Sequence, residues 1–207
     1  MNKIIIVQHC QSEHHINDLS GGWTDTPLTE LGKEQAAKIG EKLKKSINPY
    51  DFVLYSSDLM RAYQTAEVIR EYLNLDIVKE KDLREINTGI AAGKTKKWVK
   101  ENENKTTFDY YDIDHQSFEN AETPRQFYKR VHKCMERISS NEEKNLLLVT
   151  HGGTVSNILY WWLRFNPEII RETCFLSSPA SITILSKSRF NQNAMSIFND
   201  TSHLKFI

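Results

Sequence analysis

Two short runs, IIIV at 4–7 and LLLV at 146–149, constrain this chain more than any other feature. Each is continuous and apolar, without the alternation of a half-buried strand. Strands of that kind lie in the middle of a sheet with both faces covered. Each run also ends at a histidine: Gln8-His9 closes the first and Thr150-His151-Gly152-Gly153 the second. Around them the pattern alternates. TELGKEQAAKIGEKLKKSI places Leu31, Ala36, Ile39 and Leu43 at helical spacing, DFVLYSS reads as a strand, and LMRAYQTAEVIREYLN as an amphipathic helix. DIVKEKDLREI predicts a third, interrupted strand. TPRQFYKRVHKCMERISS opens with an N-cap threonine and a first-turn proline and continues as a helix through Phe127, Val131 and Met135. TVSNILYWWLRF is a helix, and SITILSKS and AMSIFND are two closing strands. Strand–helix alternation of this kind predicts an α/β layer fold around a largely parallel sheet, and 207 residues suffice for one domain with a substantial core. Residues from about 88 to 122 interrupt the alternation and read as an inserted cap, or as a mobile surface loop.

Composition narrows the partners. Lys+Arg and Asp+Glu balance at 27 each, so no basic excess points to nucleic acid or to an anionic membrane surface. The three cysteines are few and widely spaced, which fits a reducing compartment better than a disulfide framework. The apolar run at the start is too short for a signal peptide, and ILYWWL is far below spanning length, so the expectation is a cytoplasmic protein. The Trp161–Trp162 doublet reads as helix core or as a contact between two copies of a homodimer.

In parallel α/β sheets, ligands bind beyond the carboxyl ends of the strands. Gln8, His9 and Cys10 follow the first strand. Ser56, Ser57 and Arg61 follow the second, Arg84 and Glu85 the third, and His151 with two glycines the fourth. A neutral imidazole can attack phosphorus and carry the phosphoryl group. A guanidinium offers a planar fork for phosphate oxygens. A second histidine can stabilise developing charge, and a carboxylic acid can protonate the leaving oxygen and then deprotonate water. His9, Arg61, His151 and Glu85 can fill these four roles with neither a metal nor another cofactor. His9, Cys10, His14 and His15 make a poor metal site, because adjacent residues rarely converge on one tetrahedral centre and no second Cys/His pair stands at suitable spacing. TGIAAGKT does not have the glycine spacing of a nucleotide-binding loop, since its first required glycine falls on Thr88.

The motifs GGWTDTPLTELGKEQA, SSDLMRAYQTA, LREINTG, AETPRQFYKRV, VTHGG and NDTSHL, in this order, resemble the histidine phosphatase superfamily, which includes phosphoglycerate mutases and many phosphatases. The resemblance implies a three-layer α/β/α sandwich with a mostly parallel central sheet and an inserted cap. It implies that His9 accepts the phosphoryl group, Arg61 binds phosphate, Glu85 donates the proton and His151 is the second phosphate-contacting histidine. It also puts Gln8, Ser12, His15 and Gly152 against a small phosphorylated substrate. Three activities fit: a metal-independent phosphatase, a family member that binds an anion without turnover, or a mutase, the last disfavoured by the short chain.

The first motif departs from the family pattern. Gln8 stands where the family has arginine, Cys10 where it has glycine and His15 where it has asparagine. GIAAG, at 89–93, lacks the tryptophan and glutamate common after the acid. A neutral donor at Gln8 in place of a charged one weakens anion binding by about tenfold, since charge-assisted bonds contribute roughly 1.5–3 kcal/mol against about 1 for neutral ones. His14 or His15, when protonated, is expected to restore part of that charge. Cys10 reads as a small buried filler rather than a thiol activated by Arg61.

Overall fold

The computed structural model describes residues 1–106 and 108–205. Its centre is a six-stranded sheet in the order β3-β2-β4-β1-β5-β6, formed by β1 (Lys3–Gln8), β2 (Phe52–Ser56), β3 (Ile77–Lys79), β4 (Asn145–Thr150), β5 (Ile182–Lys187) and β6 (Asn193–Asp200). The β1–β4, β2–β4 and β2–β3 pairs are parallel, while β5 and β6 add antiparallel strands on one side. The two apolar runs are neighbours at the centre of the sheet, with Ile4–Val7 in register with Leu146–Val149. All eight of these side chains are buried, as their lack of alternation requires.

Helices cover both faces. On one side α2 (Glu30–Ser46) and α3 (Met60–Leu73) pack over Ile5, Val7, Leu54, Leu147 and Val149. On the other, α5 (Pro124–Asn141) and α6 (Gly152–Trp162) pack over Ile4, Ile6, Leu146 and Leu148. The even and odd positions of each central strand thus feed two separate cores. Helix α5 starts as its sequence predicts: the Thr123 side chain accepts from the Gln126 backbone N–H, and the Gln126 side chain accepts from the Thr123 N–H.

Two sequence expectations change, those for Leu31 and for the third strand, while Trp162 takes one of its two expected places. Leu31 is exposed, and the buried face of α2 instead runs through Gly32, Ala36, Ile39, Gly40 and Leu43. Gly32 sits so close to the Gln11 carbonyl that an added Cβ would lie 2.0 Å from it, so close packing rather than an apolar side chain marks this face. The third strand is only Ile77–Lys79, and Lys81–Leu83 forms a 3-10 turn that leads Arg84 and Glu85 back over the sheet edge. Trp162 is helix core, its indole N–H donating to the Ala194 carbonyl at 3.0 Å.

Residues 88–122 include a 3-10 turn at Gly89–Ala91 and the helix α4 (Lys96–Asn102), whose N-cap is Thr95. Ala91, Phe118 and Ala121 form a small buried cluster supported by Trp98 and Val99. This local core packs the segment on itself, and the Gly93 N–H donating to Thr24 Oγ1 at 2.7 Å ties it to the domain; position 107 within it lies outside the described residues.

Candidate active site

The ends of β1, β2 and β4 bring the expected residues together. His9 leaves β1 with its backbone N–H bonded to the Thr150 carbonyl at 2.8 Å. His151 follows β4 and is the N-cap of α6. Their rings meet edge to face with centroids 5.0 Å apart. Arg61, in the first turn of α3, reaches in from the β2 side.

The protonation pattern of His9 follows from its partners. Its Nδ1 lies 2.8 Å from the Cys10 carbonyl oxygen. A carbonyl only accepts, so Nδ1 carries the proton and Nε2 keeps its lone pair. Arg61 Nε donates to that Nε2 at 3.1 Å. Burial, and then the Arg61 charge, hold the His9 imidazole well below its ordinary pKa. His9 therefore presents a neutral imidazole of fixed tautomer, its lone pair toward a guanidinium.

Arg61 is 1 % exposed, yet no carboxylate lies within ion-pair distance of it among the described residues. Its Nη1 and Nη2 donate to the Thr24 and Gly22 carbonyls at 2.6 and 2.8 Å. These bonds come from the GGWTDT stretch and lock the plane of the fork. Burial lowers the Arg61 pKa to about 10, against the attraction of the more distant Glu85 and Asp25. A buried charge without a counter-charge is costly unless an anion completes it.

His151 is fully buried, and burial followed by the Arg61 charge keeps its pKa well below the usual value. Its Nε2 shares a 2.8 Å hydrogen bond with the Ser57 hydroxyl, while its Nδ1 has no partner among the described residues. Ser57 is a polar contact that the sequence places at the strand end without assigning it a role; the SSDLMRA motif was the available signal. Glu85 is fixed at the start of α6. Its two carboxylate oxygens accept from the Ile86 and Gly153 backbone N–H groups, both at 2.9 Å. Gly153 leaves room for the carboxylate in this position, because a Cβ would come within 2.3 Å of Glu85 Oε1. The Glu85 carbonyl is held in turn by Trp23 Nε1 and Arg130 Nη2.

The departed positions behave differently from one another. The Gln8 amide contacts Ser177, and with its nitrogen toward that loop it donates to Ser177 Oγ at 2.6 Å and to the Ser177 and Ser178 carbonyls at 3.1 and 3.3 Å. Gln8 thus ties the loop before β5 to the sheet edge while standing against Gly152. Ser12 is buried with its hydroxyl 2.8 Å from His14 Nδ1, and its backbone N–H donates to His15 Nδ1 at 3.1 Å. Both histidines lie in the single turn α1 (Glu13–Ile16), and the His15 ring stacks on His9 with centroids 5.5 Å apart.

The surroundings of His14 and His15 work against their supplying the missing positive charge. Burial, His15 and Arg61 bring His14 down to about 3, and burial with Arg61 lowers His15. Both remain neutral hydrogen-bonding groups at neutral pH. Cys10 is wholly buried in the core under α2 and α3, with its thiol pushed up to about 12 by burial. It is a filler, as its surroundings dictate.

Comparison with known proteins agrees with this arrangement. The family model "Histidine phosphatase superfamily (branch 1)" matches residues 4–201. A broad-specificity phosphatase of Saccharomyces cerevisiae is 30% identical over 212 aligned positions, covering 98% of this chain and 87% of the yeast protein. Phosphoserine phosphatase 1 of Hydrogenobacter thermophilus is 27% identical, covering 99% of this chain and 95% of its own. The solved structure of a mycobacterial glucosyl-3-phosphoglycerate phosphatase superposes with a TM-score of 0.81 at 22% identity, covering 97% of this chain and all of the other. The family match over nearly the whole length, the two histidines at neighbouring strand ends and the buried arginine between them lead to one conclusion: this chain belongs to branch 1 of the histidine phosphatase superfamily.

Proposed function

We propose that this protein is a metal-independent phosphatase that hydrolyses phosphomonoesters through a phosphohistidine at His9. The observation that carries this reading is the buried guanidinium of Arg61, without a carboxylate partner among the described residues and bonded to the unprotonated nitrogen of His9. A phosphoryl group supplies what both residues lack, negative oxygens for the fork and an electrophile for the lone pair.

The reaction has two halves. His9 Nε2 forms a bond to phosphorus as the bond to the ester oxygen breaks, and Glu85 gives its proton to the departing alcohol. Arg61 transfers its Nε hydrogen bond from His9 to a phosphoryl oxygen, while the His151–Ser57 pair donates to the others. Water then attacks the phosphohistidine, Glu85 takes its proton, the N–P bond breaks and inorganic phosphate leaves. Gly152 allows the backbone at the start of α6 to approach the phosphate, and Ser12 and His15 complete the wall next to His9. Relatives named as phosphatases over nearly the full length of this chain support hydrolysis. A mutase reading has less support: the 2,3-bisphosphoglycerate-dependent phosphoglycerate mutase of Bartonella henselae, though 36% identical, matches only 47% of this chain.

Residues 88–122 are read as the cap over this site. Among the described residues no helix is long and apolar enough to cross a membrane. Three unpaired cysteines, two of them buried, support residence in a reducing cytoplasm. The test is turnover of 4-nitrophenyl phosphate in the presence of a chelator. Wild type is expected to hydrolyse it and His9→Ala to be inactive; undiminished activity in His9→Ala removes His9 as the phosphoryl acceptor.

A further inference from the structure

A cavity of about 690 Å3 opens beside the site, with Glu85, Gly152 and Gly153 on its inner side and Ser177 next to Gln8. Phe127 of α5, Tyr160 of α6, and Phe175 and Leu176 of the following loop form much of its wall, and Tyr111 of the 88–122 segment stands among them. Tyr160 and Phe175 are packed with ring centroids 5.6 Å apart.

Most of the polar groups along this wall are engaged within it, the exception being the Asn157 carboxamide oxygen, which has no hydrogen-bond partner among the described residues. The Tyr160 hydroxyl donates to the Thr173 carbonyl at 2.5 Å, and the Ser156 hydroxyl accepts from the Phe175 N–H at 3.1 Å. Asn157 Nδ2 donates to the Gly153 carbonyl at 2.9 Å. Arg171 is the only cation among the described lining residues, and its Nε is bonded to Glu168 at 2.8 Å. Glu172 adds a negative charge to the same lining. A leaving group that carries a carboxylate would meet a single cation already held by Glu168 and would face the acid Glu172, so much of its desolvation would go uncompensated. An apolar group would instead cover side chains that water now meets, since Leu176 is 78% and Tyr111 55% exposed.

We infer that this cavity holds the alcohol portion of the substrate and that this portion is an apolar ring or branched alkyl group rather than an amino acid or a sugar acid. The assignment rests on the phosphatase reading, because it is Glu85, the proton donor to that alcohol, that opens the cavity toward His9. Its size lies within the range of about 300–1000 Å3 typical of small-molecule pockets.

Two measurements on the full chain separate this inference from the reading beneath it. Calorimetry compares 1-naphthylmethylphosphonate with 2-amino-4-phosphonobutanoate, neither of which can be hydrolysed at the phosphorus–carbon bond. Turnover compares 1-naphthyl phosphate with phosphoserine. The naphthyl compounds should bind and react better by roughly tenfold or more, the scale set by burying one ring. Leu176→Ala and Phe175→Ala should shrink that preference several-fold while leaving the affinity for orthovanadate unchanged. Leu176 is exposed enough for its variant to fold. A naphthyl preference in binding, lost in these variants but without any turnover, would uphold the cavity assignment and refute the phosphatase reading. Turnover of both phosphates with equal efficiency, tighter binding of the amino acid phosphonate, or no phosphonate binding would overturn the cavity assignment.

Discussion

Arg61 Nε donates to His9 Nε2 at 3.1 Å, and His9 Nδ1 donates to the Cys10 carbonyl at 2.8 Å. One bond fixes the tautomer of the proposed nucleophile and the other places a charge where phosphoryl oxygens would gather. The Arg61 charge also helps keep His9 neutral, second only to burial. Arg61→Met should therefore move the His9 pKa upward while burial still holds it below the ordinary value. Arg61→Lys, which keeps the charge but not the fork, should still lose roughly 100-fold or more in kcat/KM. An NMR titration of the imidazole resonances with steady-state kinetics checks both; an unmoved His9 pKa in Arg61→Met, or near-normal rates in Arg61→Lys, would contradict this pairing.

The histidine cluster makes stability depend on pH in a definite direction. His9, His14 and His151 are buried and their pKa values are lowered, so the folded protein resists protonating them. The unfolded chain protonates its histidines near pH 6.5. Below that pH the unfolded state binds more protons, and stability falls as pH drops, by about 1.4 kcal/mol per pH unit for each histidine that stays neutral. The melting temperature should decline from pH 7 to pH 5, and His14→Gln should flatten that slope. A melting temperature independent of pH over this interval would show that these histidines protonate in the folded state.

Gly153 and Glu85 form a matched pair at the start of α6. Gly153→Ala would put a Cβ 2.3 Å from Glu85 Oε1 and 3.0 Å from Phe127 Cε1. The carboxylate must then leave its place. Turnover should fall by about 10²-fold, the scale of a displaced general acid, while the affinity for orthovanadate is largely kept. Unchanged kcat in Gly153→Ala would separate Glu85 from proton transfer.

Gln8 joins the sheet edge to the Ser177–Ser178 loop through neutral hydrogen bonds. An arginine there can keep donors to the same carbonyls and add charge beside Gly152. Gln8→Arg is expected to tighten orthovanadate binding by roughly tenfold, the difference between a charged and a neutral donor. Weaker or unchanged binding would mean that the tie to the loop outweighs the charge.

The sequence carries the sheet centre and most of the site because both depend on local signals. Uninterrupted, β-branched-rich IIIV and apolar LLLV fit central strands of an α/β sheet, and each leads directly into its histidine. Arg61 and Glu85 were legible through the motifs around them. What the sequence hid depends on distant partners. Leu31 looks apolar-faced until Gly32 is seen against the Gln11 carbonyl. Residues 88–122 look aperiodic because their small core is built from Ala91, Phe118 and Ala121, residues separated by a loop rather than by a helical repeat. The neutrality of His14 and His15 is a matter of burial and of the Arg61 charge, neither of which adjacent letters record.

The covalent intermediate tests the central claim most directly. Glu85→Gln, mixed rapidly with 4-nitrophenyl phosphate and quenched under alkaline conditions that preserve phosphohistidine, should accumulate one phosphoryl group per chain. Peptide mass spectrometry should place it on His9, and His9→Ala in the same background should carry none. A phosphoryl group on another residue, or product release from wild type without any phosphorylated chain at the earliest times, would contradict the account.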